Sequence, residues 1–371
     1  MTHVLVNHDT IKSNISQLID FSDKEIMCVV KSNAYGHGLE QIVRTLHSQG
    51  INFFSTYYVE EAIKISKILP KANILHLGPV YSSDELVLLS KLDIHVMITS
   101  LQLLRKVLAN VDLYEKPIKI HIKLDTGLSR NGIHYSRFNH IKDEVFEILN
   151  HKNIDCIGIM SHLMMNALQS KETDAQIQRF EDTCLQFAEN EINVRYFHLG
   201  NTSYLFHEGD KFSNMVRVGI GIYGLSCGID YSDFGLTINP ALSFKSKIIS
   251  TKRINKGDKV SYGGKFTSIA DIQIAVVAAG YADGIPRSSS KEAYVLVEGQ
   301  KCKILGVICM NNFIIDISNI QNQVKIGTEV VIFSDGVNNS PTADDWGVWS
   351  NTIGYEVVTK VGNMNNRLDR V

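Results

Sequence analysis

An amine that sheds its proton near neutral pH can attack an aldehyde, and the stretch Val29–Gly38, VVKSNAYGHG, sets one up. Lys31 ends an apolar run and precedes a turn rich in glycine and polar residues. Partial desolvation there lowers an ammonium pKa, and the free amine can then condense with a carbonyl to a Schiff base. Four residues on, Tyr35 offers a hydroxyl to a phosphate, and Gly36 and Gly38 let the backbone approach a ligand closely. Taken alone, the stretch reads equally well as a strand-to-helix turn with a snorkelling lysine.

Other polar groups also follow apolar runs. Arg130 lies in HIKLDTGLSRNGI, His162 in GIMSHL, Asn201 and Thr202 in FHLGNTS, and Arg217, Gly219 and Ile220 in MVRVGIGIYG. Lys123 and Asp125 read either as functional groups or as a buried ion pair. His37, His121, His134 and His198 lack the spacing of a metal site.

The elements that must position these groups alternate in type. Strand-like runs fall at Glu25–Val30, Asn52–Thr56, Asn73–Leu77, Ile94–Ile98, Ile118–Leu124, Ile154–Met160, Val194–Leu199 and Asn214–Val218. Between them the apolar spacing is helical, as in Leu39, Ile42, Val43 and Leu46, or Ile177, Phe180, Leu185 and Phe187. This alternation predicts a (β/α)8 barrel, with a doubly wound open sheet as the alternative. In such barrels the chemistry sits at the C-terminal ends of the strands, where the polar groups above fall.

Beyond Asp230–Pro240 the runs Ala241–Ile249, Asp271–Ala279, Ala293–Glu298, Cys302–Cys309, Phe313–Ile317 and Glu329–Phe333 follow one another with little helix between them. The chain therefore divides into an α/β barrel, 1–232, and a mostly β C-terminal domain, 233–371. With 371 residues there is enough chain for two cores.

Hydrophobic residues at 44%, charged residues at 20% and a formal charge of -2 describe an ordinary globular protein with no basic footprint for nucleic acid. MTHVLVNHDT is not a secretory leader, no apolar run reaches bilayer length, and the six cysteines are scattered without CxxC spacing. The expected setting is cytoplasmic, without membrane, nucleic-acid or metal partners.

The loops after the seventh and eighth strands of such barrels often bind phosphate. Asn201-Thr202 and Gly219-Ile220 fit such a cradle. A Schiff-base lysine and a phosphate cradle on one face specify a phosphorylated aldehyde, for which pyridoxal 5′-phosphate (PLP) is the evident candidate.

VVKSNAYGHG, KLDTGLSRNGI, MVRVGIGIYG, VSYGG, GYADG and GVICMNN stand in the order found in bacterial alanine racemases, and the chain resembles that fold-type III family over nearly its whole length. The resemblance implies a PLP-dependent, homodimeric enzyme that interconverts L- and D-alanine and supplies D-alanine for peptidoglycan. Lys31 would then be the PLP lysine and one base, and Tyr262, in VSYGG, the opposing base from the second subunit. Arg217 would face the pyridine nitrogen, His162 would link it to that tyrosine, and Tyr35 and Tyr355 would touch the phosphate. Arg130 and the backbone around Met310 match substrate-carboxylate positions, Lys123 a lysine that helps place that arginine, and Tyr281 the substrate entryway.

An arginine at the ring nitrogen leaves that nitrogen unprotonated, which favours prompt reprotonation over transamination. Departures from the family pattern fall at Asn311, where aspartate is usual, in SHLMMNAL and in the tail EVVTKVGNMNNR. Asn311 motivates a serine or broad-specificity racemase as the alternative; a related decarboxylase and a non-catalytic PLP carrier fit the motifs less well.

Overall fold

The computed structural model describes residues 2–164, 170–207, 212–289, 292–320, 324–365 and 368–370. Residues 165–168 of SHLMMNAL and 366–367 of the tail lie outside the described residues.

Strand β1 (His3–Val6) precedes the barrel strands. These are β2 (Glu25–Val29), β3 (Phe53–Thr56), β4 (Asn73–His76), β5 (Ile94–Ile98), β6 (Ile118–Asp125), the short β7 (Ile133–His134), β8 (Ile154–Met160), β9 (Tyr196–His198) and β10 (Met215–Val218). They run parallel in the order β10-β2-β3-β4-β5-β6-β8-β9, with β7 beside β6. Backbone bonds from Asn214 N–H to Phe197 O (3.1 Å) and from Arg217 N–H to Gly200 O (3.2 Å) join the last strand to the first. The parallel sheet is therefore a nearly closed barrel, not a doubly wound sheet.

Strand residues two apart share a face. Met27, Phe53, Leu75, Met97, Met160, Tyr196 and Met215 form one buried cluster, while the residues between them pack outward under the helices. The helix Leu39–Ser48 buries Leu39, Ile42, Val43 and Leu46, as their spacing predicts. Leu185 departs from expectation: it is 52% exposed, because Cys184, four residues after Phe180, holds the inward position on the helix Lys171–Glu189.

The second sheet is antiparallel apart from β1 beside β19. The strands of this part are β11 (Leu242–Ile254), β12 (Lys259–Val260) and β13 (Phe266–Thr267), which form a separate hairpin, β14 (Ile272–Val277), β15 (Tyr294–Val297), β16 (Gln300–Leu305), β17 (Phe313–Asp316), β18 (Glu329–Phe333) and β19 (Leu368–Arg370). The hairpin stands apart from the order β14-β17-β16-β15-β18-β11-β1-β19, and β14 also pairs with β11.

Two features went unread in the sequence. The segment His3–Val6 pairs with β11 rather than with the barrel, and the helices Ala343–Trp349 and Gly354–Met364 interrupt the β-rich part. The strand expected over Cys302–Cys309 stops at Leu305. Gly306 turns at φ +74°, and a Cβ there would lie 2.7 Å from the Ser261 Cβ, so the chain leaves the ladder to let the Tyr262 loop dock.

Candidate active site

Lys31 leaves the end of β2 into a turn that runs the wrong way. Ser32, Asn33, Ala34 and Tyr35 all have φ between 53° and 58°, a short left-handed helix without a glycine. Each such residue costs roughly 1–2 kcal/mol, so the surroundings must hold it. Asn33 N–H donates to Glu61 Oε1 (2.7 Å), Leu39 N–H to Asn33 Oδ1 (2.8 Å), and Asn33 Nδ2–H to Asn363 Oδ1 (3.2 Å). Buried His37 lies with Nδ1 3.1 Å from the carbonyls of both Ala34 and Tyr35.

Gly36 and Gly362 face each other so closely that a Cβ on Gly362 would stand 2.0 Å from Gly36 O. The helix Gly354–Met364 thus seats itself on the turn and delivers Tyr355 to the same place; the Tyr35 and Tyr355 ring centroids are 6.3 Å apart.

A cavity of about 680 Å³ opens at this end of the barrel. Lys31, Tyr35, Lys123, Arg130, His162, Asn201, Thr202, Arg217, Gly219, Ile220 and Tyr355, all singled out above, line it together. Tyr57 and Asn131 also line it and were missed. Both directly follow residues the strand and motif readings had marked, so position alone was the available signal.

Among the described residues the lining holds four basic side chains, Lys31, Lys123, Arg130 and Arg217, and no aspartate or glutamate. Burial, then Arg130 and Arg217, lowers the Lys31 ammonium. Lys123 is held well below the usual lysine range by burial, then Arg217 and Arg130. It has no ion pair with Asp125 among the described residues; Asp125 Oδ1 instead accepts from the backbone N–H of Gly127 (3.1 Å) and Ser129 (3.0 Å). The ion-pair reading is therefore replaced by a lysine facing the cavity.

Arg217 is 4% exposed and bonded through both terminal nitrogens. Nη1–H meets His198 O (2.5 Å) and His198 Nδ1 (3.0 Å); Nη2–H meets Ser161 O (2.7 Å), His162 Nδ1 (3.1 Å) and Leu199 O (3.2 Å). Burial, then Arg130, brings the guanidinium down to about 9, so it stays charged at neutral pH. Burial, then Arg217, holds His162 down to about 2, a neutral ring.

Beside it, Gly219 N–H donates to Thr202 Oγ1 (3.1 Å) and Tyr223 OH to Val29 O (3.2 Å). A Cβ on Gly219 would stand 2.7 Å from the Tyr35 hydroxyl, a gap only glycine leaves open.

Tyr262, Tyr281, Met310 and Asn311 are absent from this lining. They gather on an edge of the β domain instead. Tyr281 N–H donates to Cys309 O (3.1 Å), Ala282 N–H to Met310 O (2.9 Å), and Ser261 Oγ–H to Val307 O (2.8 Å). Tyr262 is 73% and Met310 55% exposed.

A parallel barrel with a cationic mouth at the C-terminal ends of its strands, extended by an antiparallel domain, is the architecture of a barrel enzyme. The comparisons give the rest. Residues 6–227 match the model of the alanine racemase N-terminal domain and 241–370 that of the C-terminal domain. An alanine racemase of Fusobacterium nucleatum is 33% identical, covering 99% of each chain, and one of Borreliella burgdorferi is 30% identical over 98% of this chain and 96% of that one.

The crystal structure of alanine racemase from D-cycloserine-producing Streptomyces lavendulae superimposes with a TM-score of 0.90 at 27% identity, covering 100% of this chain and 96% of that one. That of Bacillus anthracis with bound L-Ala-P gives 0.86 at 26%, covering 100% and 94%. The chain belongs to the alanine racemase family and is a racemase, an isomerase of amino acids.

Proposed function

We propose that the protein is a PLP-dependent alanine racemase, a cytoplasmic homodimer with shared active sites that supplies D-alanine for peptidoglycan. One observation carries the reading: a cavity whose described lining has four basic side chains and no acidic one calls for an occupant with at least two anionic groups. A phosphate and an amino-acid carboxylate are such groups. The Gly219 opening against the Tyr35 hydroxyl is the kind of cradle a phosphate needs.

Tyr35, Tyr355, Asn201, Thr202, Gly219 and Ile220 would hold the cofactor phosphate, Arg217 its ring nitrogen, and Lys31 its aldehyde carbon. Bound there, PLP supplies an aldehyde that takes up the amino nitrogen and a ring that accepts the electron pair left when Cα loses its proton. Arg130, positioned with help from Lys123, and the Met310 backbone of the partner subunit would bind the substrate carboxylate. Tyr281 of the partner subunit would line the entry.

Inversion needs a proton taken from one side of Cα and another returned on the opposite side. Lys31 Nζ, already lowered by burial and two arginines, suits the first role. Tyr262 of the partner subunit suits the second. An arginine N–H can only donate, so His162 Nδ1 accepts from Arg217 and its own proton sits on Nε2. That N–H can donate to the tyrosine oxygen and favour its ionised form.

The test uses purified protein supplied with PLP. Borohydride reduction and peptide mapping should label Lys31; a label elsewhere overturns the reading. Asn311, exposed beside Met310, supports a second reading, serine or broad-specificity racemisation, and kcat/KM for L-alanine against L-serine decides between them.

A further inference from the structure

Three buried histidines that the mechanism above does not use run inward from Arg217. His198 on β9, His121 on β6 and His95 on β5 are each at most 1% exposed. Arg217 Nη1 lies 3.0 Å from His198 Nδ1, His198 Nε2 lies 2.8 Å from His121 Nδ1, and His121 Nε2 lies 3.1 Å from His95 Nδ1. The far atom, His95 Nε2, is buried with no hydrogen-bond partner among the described residues.

The direction of every bond follows from its first member. A guanidinium cannot accept, so His198 Nδ1 must, and a neutral imidazole then carries its proton on Nε2. That proton points at His121 Nδ1, which must accept in turn and leave its own proton on Nε2. His95 Nδ1 accepts that one. A doubly protonated ring anywhere in the series would set two N–H groups against each other, so only one assignment satisfies all three bonds.

We propose that His198, His121 and His95 form a one-directional column, each ring with its proton on Nε2, and that His95 is a positioning residue at the column's far end that fixes the guanidinium of Arg217. Ring contacts keep the column from turning. His95 and His121 stack with centroids 5.3 Å apart, and Phe53 meets His95 edge-on at 5.3 Å. Lys119 acts on His95, His95 and Arg217 on His121, and Arg217, His121, Lys123 and His95 on His198, with no carboxylate among the described groups acting on the three. Burial, then Lys119, takes His95 down to about 3.

Aligned neutral rings polarise one another. The column therefore presents Arg217 with a stronger acceptor than a lone imidazole, and it does so without a negative charge at the cofactor end. A carboxylate there would draw protons toward a site whose occupant needs an unprotonated ring nitrogen. This inference rests on the reading of Arg217 as the cofactor-ring contact.

The deciding measurement needs no turnover. In protein carrying 15N-histidine, long-range proton–nitrogen spectra should show all three rings as Nε2–H tautomers that do not titrate between about pH 6 and 8. An Nδ1–H ring or an imidazolium among them overturns the column while leaving racemisation intact. His95→Gln keeps an acceptor for His121 and should retain kcat and the pH profile. His95→Phe should lower kcat about tenfold with KM for alanine little changed. Unchanged kcat in His95→Phe, or equal loss in both variants, overturns the positioning role.

Discussion

The barrel mouth and the edge of the β domain each gather residues that the family resemblance ties to chemistry, but they are built in opposite ways. At the mouth, Arg217 and Thr202 are almost wholly buried, every Arg217 bond is to a carbonyl or an imidazole, and the lysines are pulled down by burial and by each other's neighbours. At the edge, Tyr262 and Met310 stand in solvent on a platform whose backbone is tightly organised around Cys309. On the proposed reading the mouth supplies Lys31 on one side of the substrate, and Tyr262, the group for the other side, is absent from the cavity lining. The edge carries Tyr262, which stands exposed outside that cavity. Exposed apolar and aromatic groups on an ordered platform suit a contact surface, and a two-fold axis would bring each edge to the other chain's mouth.

The largest expected effect tests that complementarity. Lys31→Ala and Tyr262→Phe should each lose racemase activity by about a thousandfold, the scale of a general base. Co-refolded in equal amounts, half the dimers carry one of each, and one site in each of those is intact. Activity should return to roughly a quarter of wild type if the dimer is two-fold symmetric. A mixture as silent as its parts would mean that both groups serve one chain's site.

A pair of glycine substitutions sharpens the contrast. In Gly219→Ala the new Cβ displaces the Tyr35 hydroxyl, so PLP affinity should fall by about tenfold or more, read by absorbance titration. In Gly280→Ala the Cβ would stand 2.3 Å from both Cys309 O and Met310 O, backbone atoms that cannot swing away. That variant should keep its PLP titration and lose kcat. Equal loss of PLP affinity in both variants would erase the distinction between the two regions.

Acid should act on the barrel before the β domain. Burial lowers His37 to about 4 and His95 to about 3, and His121 and His198 well below 6.5. Below 6.5 the unfolded chain binds protons that the folded chain refuses, so unfolding free energy falls as pH falls through that window. Each ring contributes up to about 1.4 kcal/mol per pH unit, and all four lie in the barrel. The urea midpoint should therefore drop steeply between about pH 6.5 and 5. His95→Gln should make that slope shallower, and an unchanged slope would return His95 to the titrating groups.

The sequence carried the barrel because its parallel strands are short apolar runs, and all but the last two, β9 and β10, are followed by α-helix with its own period. It carried the mouth because Lys31, His162 and Thr202 each follow such a run and Arg217 lies near the end of one, Asn214–Val218. The left-handed turn at Ser32–Tyr35 was hidden, since its φ values contradict the local preferences of Ser, Ala and Tyr and depend on Glu61, Asn363 and the distant Gly362. The histidine column was also unread. In the sequence His121 and His198 are marked only by lacking the spacing of a metal site, and only strand register sets them beside His95. Likewise β1 gives no local sign that its partner, β11, lies more than two hundred residues away.

The smallest expected effect falls on Asn311. It sits beside Met310, whose carbonyl is held by Ala282 N–H, so its backbone is fixed while its side chain stays exposed. An amide offers both a donor and an acceptor, and a substrate hydroxyl can use either; the methyl of alanine can use neither. Asn311→Ala should therefore cost serine turnover about tenfold in kcat/KM while alanine changes by less than about threefold. If the alanine-to-serine ratio stays put, Asn311 plays no part in choosing the substrate. The edge would then contribute to the mouth only a phenol and a backbone, and alanine preference would have to come from the space that the mouth itself leaves around Cα.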